Sequence, residues 1–307
     1  MGTPQFAVPV LAALLSNPER FEVAAVVTQP DAPAGRGRTL TPSPVRQFAL
    51  AHSLPVLQPE TLKPPDVVAQ LRALAPDVIV VAAFGQILRR DVLELPPHSC
   101  INVHASLLPR WRGASPISAA IAAGDPVTGI TIMLMEAGLD SGPILSQRPT
   151  PILPEDTTAS LTERLSHLGA ELLVETLSTW LRGEITPHPQ DESLITRCDH
   201  VSKEDGRIDW SRPAAGIERH VRAMTPWPMA WTTWQGKQLQ IRRARHAAGP
   251  APASPPHGTV LGNSTSICVQ CGQDLLELLE IQLEGKRALP ALEFARGQRQ
   301  FVGSALV

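Results

Sequence analysis

The first half of the chain alternates short β-branched runs with helical stretches, and this alternation most constrains its fold. When a helix follows each strand, consecutive strands run in the same direction. The result is a mostly parallel sheet with helices packed on both faces. Strands are predicted at 21–28, 77–84, 100–104 and 129–135, and helices at 44–52, 66–75 and 115–123. Between 158 and 181 leucines recur with a 3.6-residue period, which predicts one long amphipathic helix. The sequence therefore indicates an α/β domain.

The second half has a different character. Residues 183–202 are polar and broken by proline, as is typical of a linker. A helix is then predicted at 213–224, followed by short strands at 231–234, 238–241, 258–261 and 266–269, which favour a small β-barrel. The expected organisation is a first domain over 1–182, a linker over 183–202 and a second domain over 203–307.

Charge separates the two domains. The net charge is −2, yet residues 203–307 carry 13 basic and 9 acidic side chains. Five arginines form two groups there: Arg219 and Arg222 on the predicted helix, and Arg242, Arg243 and Arg245 after a strand. Such groups suit phosphate contacts, although an ordinary solvated surface gives the same pattern.

Several classes of protein are disfavoured. No apolar run reaches the roughly 18 residues that cross a bilayer, and the opening residues lack the pattern of a signal peptide, so a cytoplasmic protein is expected. The four cysteines are scattered and are expected to be free thiols. Cys268 and Cys271 have CxxC spacing, but no second pair exists, and no metal is predicted.

The predicted strand 100–104 carries the residues with the clearest chemistry. Its two-residue period puts Asn102 and His104 on the same face, at the strand's carboxyl end, where open α/β sheets bind ligands. Asp140 follows in a Gly-Leu-Asp-Ser-Gly turn. An amide donor, an imidazole and a carboxylate suit acyl transfer. Taken singly, His104 and Asp140 are equally compatible with structural roles.

The segments 102–113 and 138–142 together resemble the formyltransferases that use 10-formyltetrahydrofolate. Segments 28–38, 208–211 and 226–231 narrow the resemblance to members that act on methionyl-tRNA. The resemblance covers essentially the whole chain. It implies a Rossmann-like sheet domain followed by an OB-like β-barrel domain that holds the tRNA, in a monomer without a metal.

The resemblance also implies site residues. Asn102, His104 and Asp140 would be catalytic. The folate would lie against the loop formed by Ser106, Leu107, Leu108 and Pro109, with its pterin ring near Gln86, Ile87 and Leu88. Arg36 and Arg38 belong to a loop that, in similar proteins, contacts the acceptor end of initiator methionyl-tRNA. Which of His104 and Asp140 acts as the base stays open.

One departure from the family pattern stands out. Similar proteins have a short apolar strand before their Gly-Thr-Pro turn, whereas this chain begins at Met1-Gly2-Thr3-Pro4. The first strand of the sheet is therefore expected to be missing. Alternatives are a formyltransferase for a sugar nucleotide or glycinamide ribonucleotide, a folate deformylase, or an inactive RNA-binding protein that kept the scaffold.

Overall fold

The structure, a computed structural model, describes residues 1–34, 39–249 and 255–307. Two compact units are present. The first comprises Met1–Pro116, Val127–Pro151 and Thr162–Cys198, and the second comprises Ile117–Pro126, Ile152–Leu161 and Asp199–Val307.

The described residues form helices and strands throughout both units. The helices are α1 Ala7–Leu15, α2 Pro44–Ala51, α3 Pro65–Ala73, α4 Arg90–Leu93, α5 Pro116–Ala123, α6 Thr158–Leu181, α7 Ala214–Ala223 and α8 Ala291–Gly297. The strands are β1 Val26–Val27, β2 Ala32–Ala34, β3 Thr39–Thr41, β4 Val56–Leu57, β5 Ile79–Val81, β6 Cys100–His104, β7 Arg112–Gly113, β8 Val127–Leu134, β9 Ile144–Pro151, β10 Arg197–Cys198, β11 Ala230–Trp234, β12 Lys237–Ala247, β13 Val260–Gly262, β14 Ile267–Gln270, β15 Leu275–Leu283 and β16 Leu289–Pro290.

The first unit is built on a mixed sheet. Strands β5 and β6 pair in parallel, and β8 and β9 continue the sheet in antiparallel fashion. Strands β1 and β4 form a separate parallel pair. The predicted α/β class is confirmed, with β8 and β9 as its antiparallel edge.

Met1 and Gly2 bridge these two groups of strands. Gly2 N–H donates to the Val27 carbonyl (3.0 Å), and the Met1 carbonyl accepts from Ala82 N–H (2.9 Å). Beside them lies a cleft of about 360 Å³ whose walls include Phe21 to Val27 and Asp77 to Val80. The predicted strand 21–28 is shorter than expected because residues 21–25 border this cleft and only Val26–Val27 pair with a neighbour.

The long helix is confirmed at its predicted bounds. Helix α6 runs from Thr158 to Leu181. Leu161, Leu165, Leu173 and Leu177 are almost fully buried, as the 3.6-residue spacing requires.

The second unit contains an antiparallel sheet in the order β11-β12-β15-β14-β13, with β16 beside β15. Strand pairs alone do not close it into a barrel within the described residues. The chain's last residues connect the two edges instead, because Val307 exchanges hydrogen bonds with Thr233 on β11, while Gly303 and Ser304 bond to Val260 on β13. In place of the predicted barrel, the unit has an antiparallel sheet. Hydrogen bonds to the C-terminal segment connect its two edge strands.

The described residues contain no membrane-spanning helix, no disulfide bond and no metal-binding cluster. No helix in these ranges is both long enough and apolar enough to cross a membrane. None of the four cysteines, all of which lie in the described residues, forms a disulfide bond. No group of three or more His, Cys, Asp or Glu side chains in the described parts of the chain is placed to hold a metal ion.

Candidate functional site

Strand β6 presents the first two predicted site residues. It lies between β5 and β8, with Asn102 opposite Val81 and Met133, and His104 opposite Thr131. Asn102 is half-buried, and its side-chain amide makes no hydrogen bond to another described residue. Pairing with β5 and with β8 holds β6 in place. The side-chain amide of Asn102 remains available to a ligand.

His104 is buried, and both of its ring nitrogens face acceptors. Nε2 lies 3.0 Å from the Trp111 carbonyl oxygen, and Nδ1 lies 3.8 Å from Oδ2 of Asp140. A neutral imidazole has one N–H and can donate to one of these acceptors, whereas the imidazolium can donate to both. The pocket therefore suits a ring that takes up and releases a proton.

Asp140 occupies a tight turn beside His104. Its backbone has a φ of +47°, a conformation that most side chains avoid. Its Oδ2 accepts a hydrogen bond from Gly113 N–H at 2.8 Å. Asp140 thus lies beside His104 at the end of β6, with its carboxylate near the imidazole, and Asn102 lies two residues earlier on the same strand.

A pair of buried polar residues lies behind this turn. Arg112 Nε donates to Oε1 of Gln190 (2.9 Å), and Nη2 of Arg112 donates to Glu192 (2.9 Å). Gln190 Nε2 donates to the carbonyl oxygens of Asp140 and Gly142, both at 2.8 Å. The backbone on either side of Ser141 is therefore held by one amide.

The loop predicted to face the folate is anchored from beneath. The Thr131 hydroxyl donates to the Ser106 carbonyl (2.7 Å) and accepts from Leu108 N–H (3.0 Å). Gln147 Nε2 donates to the Leu108 carbonyl (2.8 Å). Ser106 and Leu108 have buried side chains, while Leu107 and Pro109 are half-buried. Since the Ser106 hydroxyl donates to Arg110, this loop offers a ligand mainly backbone and apolar surface.

The predicted pterin segment has three different environments. Ile87 is 87% exposed, whereas Leu88 is buried. Gln86 donates to the Pro59 carbonyl at 3.0 Å, and its Oε1 is buried without a partner among the described residues. The unpaired Oε1 of Gln86 is a polar group that a ligand at this segment could bind.

The residues predicted to contact tRNA lie in two parts of the chain. Arg36 and Arg38 lie outside the described residues. In the second unit most of the predicted arginines have internal partners: Arg222 bonds Glu218, Arg242 bonds Glu280, Arg245 bonds Glu277, and Arg219 donates to the Ala122 carbonyl. Arg243 is exposed and has no ion pair with a described residue. Its neighbours' charges are thus partly neutralised within the sheet.

The thiol on β6 is not placed to act as a nucleophile. Cys100 begins β6 and is completely buried. Burial raises the pKa of this thiol to about 12, because the thiolate would lose its hydration. It stays protonated at neutral pH, which disfavours it as a nucleophile.

Sequence reasoning missed the residues that support the site. Arg112 lies within the recognised segment 102–113 but carried no assigned role, and Gln190 lies in the predicted linker. Thr131 and Gln147 lie on strands β8 and β9. An isolated glutamine or threonine gives no signal in a single sequence, because its partner is 16 to 78 residues away.

Two protein-family models match the chain. The first, described as formyl transferase, covers residues 1–177. The second, described as formyl transferase, C-terminal domain, covers residues 200–299. Together they span nearly all of the chain.

Relatives of known name are similar over the full length. A methionyl-tRNA formyltransferase of Roseiflexus castenholzii is 50% identical over 306 residues, covering 100% of this chain and 97% of the relative. One of Myxococcus xanthus is 48% identical over 305 residues, covering 99% and 96%.

Solved structures share the fold at much lower identity. A sugar 3N-formyl transferase, WlaRD, determined with dTDP and 5-N-formyl-THF, matches with a TM-score of 0.66 and 16% identity over 93% of this chain and 97% of its own. HypX from Aquifex aeolicus in complex with tetrahydrofolic acid matches with a TM-score of 0.59 and 19% identity over 82% and 44%.

Proposed function

The chain belongs to the methionyl-tRNA formyltransferase family, and we propose that it moves a formyl group from 10-formyltetrahydrofolate to the amino group of methionine on initiator tRNA. The single observation that carries the assignment of the site is the unpaired amide of Asn102 beside the His104–Asp140 contact of 3.8 Å. The two-residue period of β6 puts Asn102 and His104 on the same face, which supports a reaction of both groups at one carbon atom.

The methionine amine is the nucleophile in this reaction. Its nitrogen forms a bond to the formyl carbon, and the carbonyl oxygen becomes an oxyanion in the tetrahedral intermediate. Asn102 donates a hydrogen bond to that oxygen. The C–N bond to N10 of the folate then breaks. The amine loses one proton and N10 gains one, so no net proton is released.

His104 and Asp140 handle the proton. The imidazole lies between the carboxylate of Asp140 and the Trp111 carbonyl, and the carboxylate stabilises it when it is charged. Either His104 or Asp140 serves as the base that accepts the amine's proton. The metal-free mechanism needs no other protein nucleophile.

The folate contacts proposed from the sequence are Ser106, Leu107, Leu108 and Pro109 on one side and Gln86, Ile87 and Leu88 on the other. Support comes from the anchored loop above Thr131 and from the exposed Ile87 side chain. Two solved structures of the same fold were determined with folates, HypX with tetrahydrofolic acid and WlaRD with 5-N-formyl-THF. Backbone groups of the loop would then read the pterin edge.

The tRNA contacts are proposed for Arg36 and Arg38 and for the second domain. Arg243, exposed on β12, is the candidate there for a phosphate contact. We assign residues 1–182 to catalysis, 183–202 to the linker and 203–307 to tRNA binding, in a cytoplasmic monomer.

The test is formyl transfer from 10-formyltetrahydrofolate to initiator methionyl-tRNA, run beside elongator methionyl-tRNA and a sample without acceptor. Formylation confined to the initiator is the expected result. Formate release without acceptor formylation would replace the proposal with a deformylase. Equal formylation of both tRNAs would contradict the proposed selectivity, and binding without turnover would contradict the enzyme.

A further inference from the structure

Gln190 makes buried hydrogen bonds to Arg112 and to the turn that carries Asp140. The roles assigned to Asn102, His104 and Asp140 do not explain these bonds. It is 8% exposed and lies in the segment predicted as a linker. Its amide has one acceptor and two donor hydrogens, and all of them are used. Arg112 has only donors, so Oε1 must face it, and Nε2 must face the two carbonyls of Asp140 and Gly142.

This arrangement acts on the backbone of the Asp140 turn. Asp140 has a φ of +47°, and a residue in this region stays there only when its surroundings hold it. Gly113 N–H fixes the carboxylate itself (2.8 Å). Gln190 fixes the carbonyls of residues 140 and 142, on either side of Ser141. The turn thus has one restraint on its side chain and two on its backbone.

The same amide connects the turn to the strand that carries Gly113. Arg112 precedes Gly113 on β7 and is 4% exposed. Strand β7 pairs with β10 in the same segment that follows Gln190. The donor to the Asp140 carboxylate and the clamp on its backbone therefore share one buried support.

We propose that Gln190 is a positioning residue for formyl transfer, which keeps the Asp140 carboxylate against Nδ1 of His104 through its bonds to Arg112 and to the Asp140 turn. This inference rests on the proposed function for its kinetic consequence. Its structural content, restraint of residues 140–142 by the Gln190 amide, is independent of the reaction.

Gln190→Glu separates positioning from stability. The carboxylate still pairs with Arg112, so the buried guanidinium is not left alone. It has no N–H for the carbonyls of Asp140 and Gly142, so the turn is released. We expect kcat for formyl transfer to fall on the order of 100-fold, the loss typical of a misplaced catalytic group, with KM for folate and for tRNA within twofold of the original values.

A second substitution tests whether the effect passes through Asp140. Asp140→Asn alone and Asp140→Asn with Gln190→Glu should have nearly the same kcat, because a carboxylate that is absent no longer needs positioning. Gln70→Met is the matched control, since Gln70 is exposed on α3 and has no hydrogen bond to a described residue. It should retain the original kcat.

Amide hydrogen exchange provides a readout that does not depend on turnover. Exchange in residues 138–143 should accelerate in Gln190→Glu and stay unchanged in Gln70→Met. If exchange accelerates while the original protein transfers no formyl group, the clamp stands and the proposed function fails. If transfer is normal and Gln190→Glu changes neither kcat nor exchange, or if the two losses of kcat simply multiply, the positioning proposal is overturned.

Discussion

The two sides of strand β5 in the first unit are built differently. On the side of β6 and β8, strand follows strand and the residues around His104 and Asp140 are hydrogen-bonded to one another. On the side of β1, residues 21–25 border a cleft of about 360 Å³, and within the described residues Met1, Gly2 and Thr3 make the hydrogen bonds that join the two groups of strands. Chemistry is concentrated where the backbone is most restrained, and the poorly paired side should affect stability without affecting the reaction directly.

The largest effect is expected on the restrained side. His104→Gln removes the imidazole between Asp140 and Trp111 but keeps a polar side chain. General acid–base catalysis contributes about 100- to 10,000-fold, and we expect a loss of kcat in that range. The melting temperature, measured on the same sample, should change little. A large fall in melting temperature would show that His104 also stabilises the fold. That result would contradict the expected difference between the two sides of β5.

The next effect belongs to the side of the cleft. Burial lowers the pKa of the Met1 amine from 8.0 to about 6, because the charged form loses its hydration. Between pH 6 and 8 the unfolded amine binds a proton that the folded one does not, so stability rises with pH across this window. The difference corresponds to about 3 kcal/mol, measurable by urea unfolding at pH 6, 7 and 8.

An N-acetylated chain is the control for this pH dependence. Burial also lowers the pKa of His220, which gives a slope of the same sign in both chains. The part that disappears on acetylation belongs to Met1. If stability changed with pH equally in the two chains, the buried Met1 amine would not have a lowered pKa.

Thr131→Val tests how strongly the catalytic side is held. Valine has nearly the same shape but leaves Leu108 N–H and the Ser106 carbonyl without their buried partner. The expected loss is about 2 kcal/mol in the free energy of unfolding, together with a higher KM for the folate. Chemical denaturation and steady-state kinetics measure the two effects. Unchanged values would show that the loop does not depend on this hydroxyl.

The smallest effect should come from lengthening the chain. Four apolar residues placed before Met1 can lie between residues 21–25 and 77–80 and bury apolar surface there. The gain from burial is largely offset by the entropy of ordering the added residues, which leaves about 1–2 kcal/mol of stabilisation at pH 8. A Gly-Ser extension of equal length is the control. Equal stability of the two extended chains would contradict a strand-sized cleft.

Much of this organisation could be predicted from the sequence. Strand β6 and helix α6 have their predicted bounds, because a β-branched run and a leucine period are strong local signals. The placement of Asn102 and His104 followed from the two-residue period of a strand. Asp140 was predicted from its Gly-Leu-Asp-Ser-Gly turn, and the structure brings it to His104 across 36 residues of sequence.

Other features depend on partners that a single sequence does not reveal. Residues 21–25 have the composition of a strand but lack a neighbour to pair with. Gln190 looks like part of a linker until Arg112 and the Asp140 turn are seen around it. Two of the three arginines on β12, Arg242 and Arg245, form ion pairs with Glu280 and Glu277, which lie on another strand.

The most direct test of the account is the single-turnover rate of formyl transfer by Asn102→Ala with saturating 10-formyltetrahydrofolate and initiator methionyl-tRNA. Loss of one oxyanion donor should slow the chemical step by about 100- to 1,000-fold. Folate affinity and melting temperature should stay close to the original values, because this amide has no partner among the described residues. A rate equal to that of the unaltered protein would contradict the assignment of Asn102, and with it the proposed mechanism.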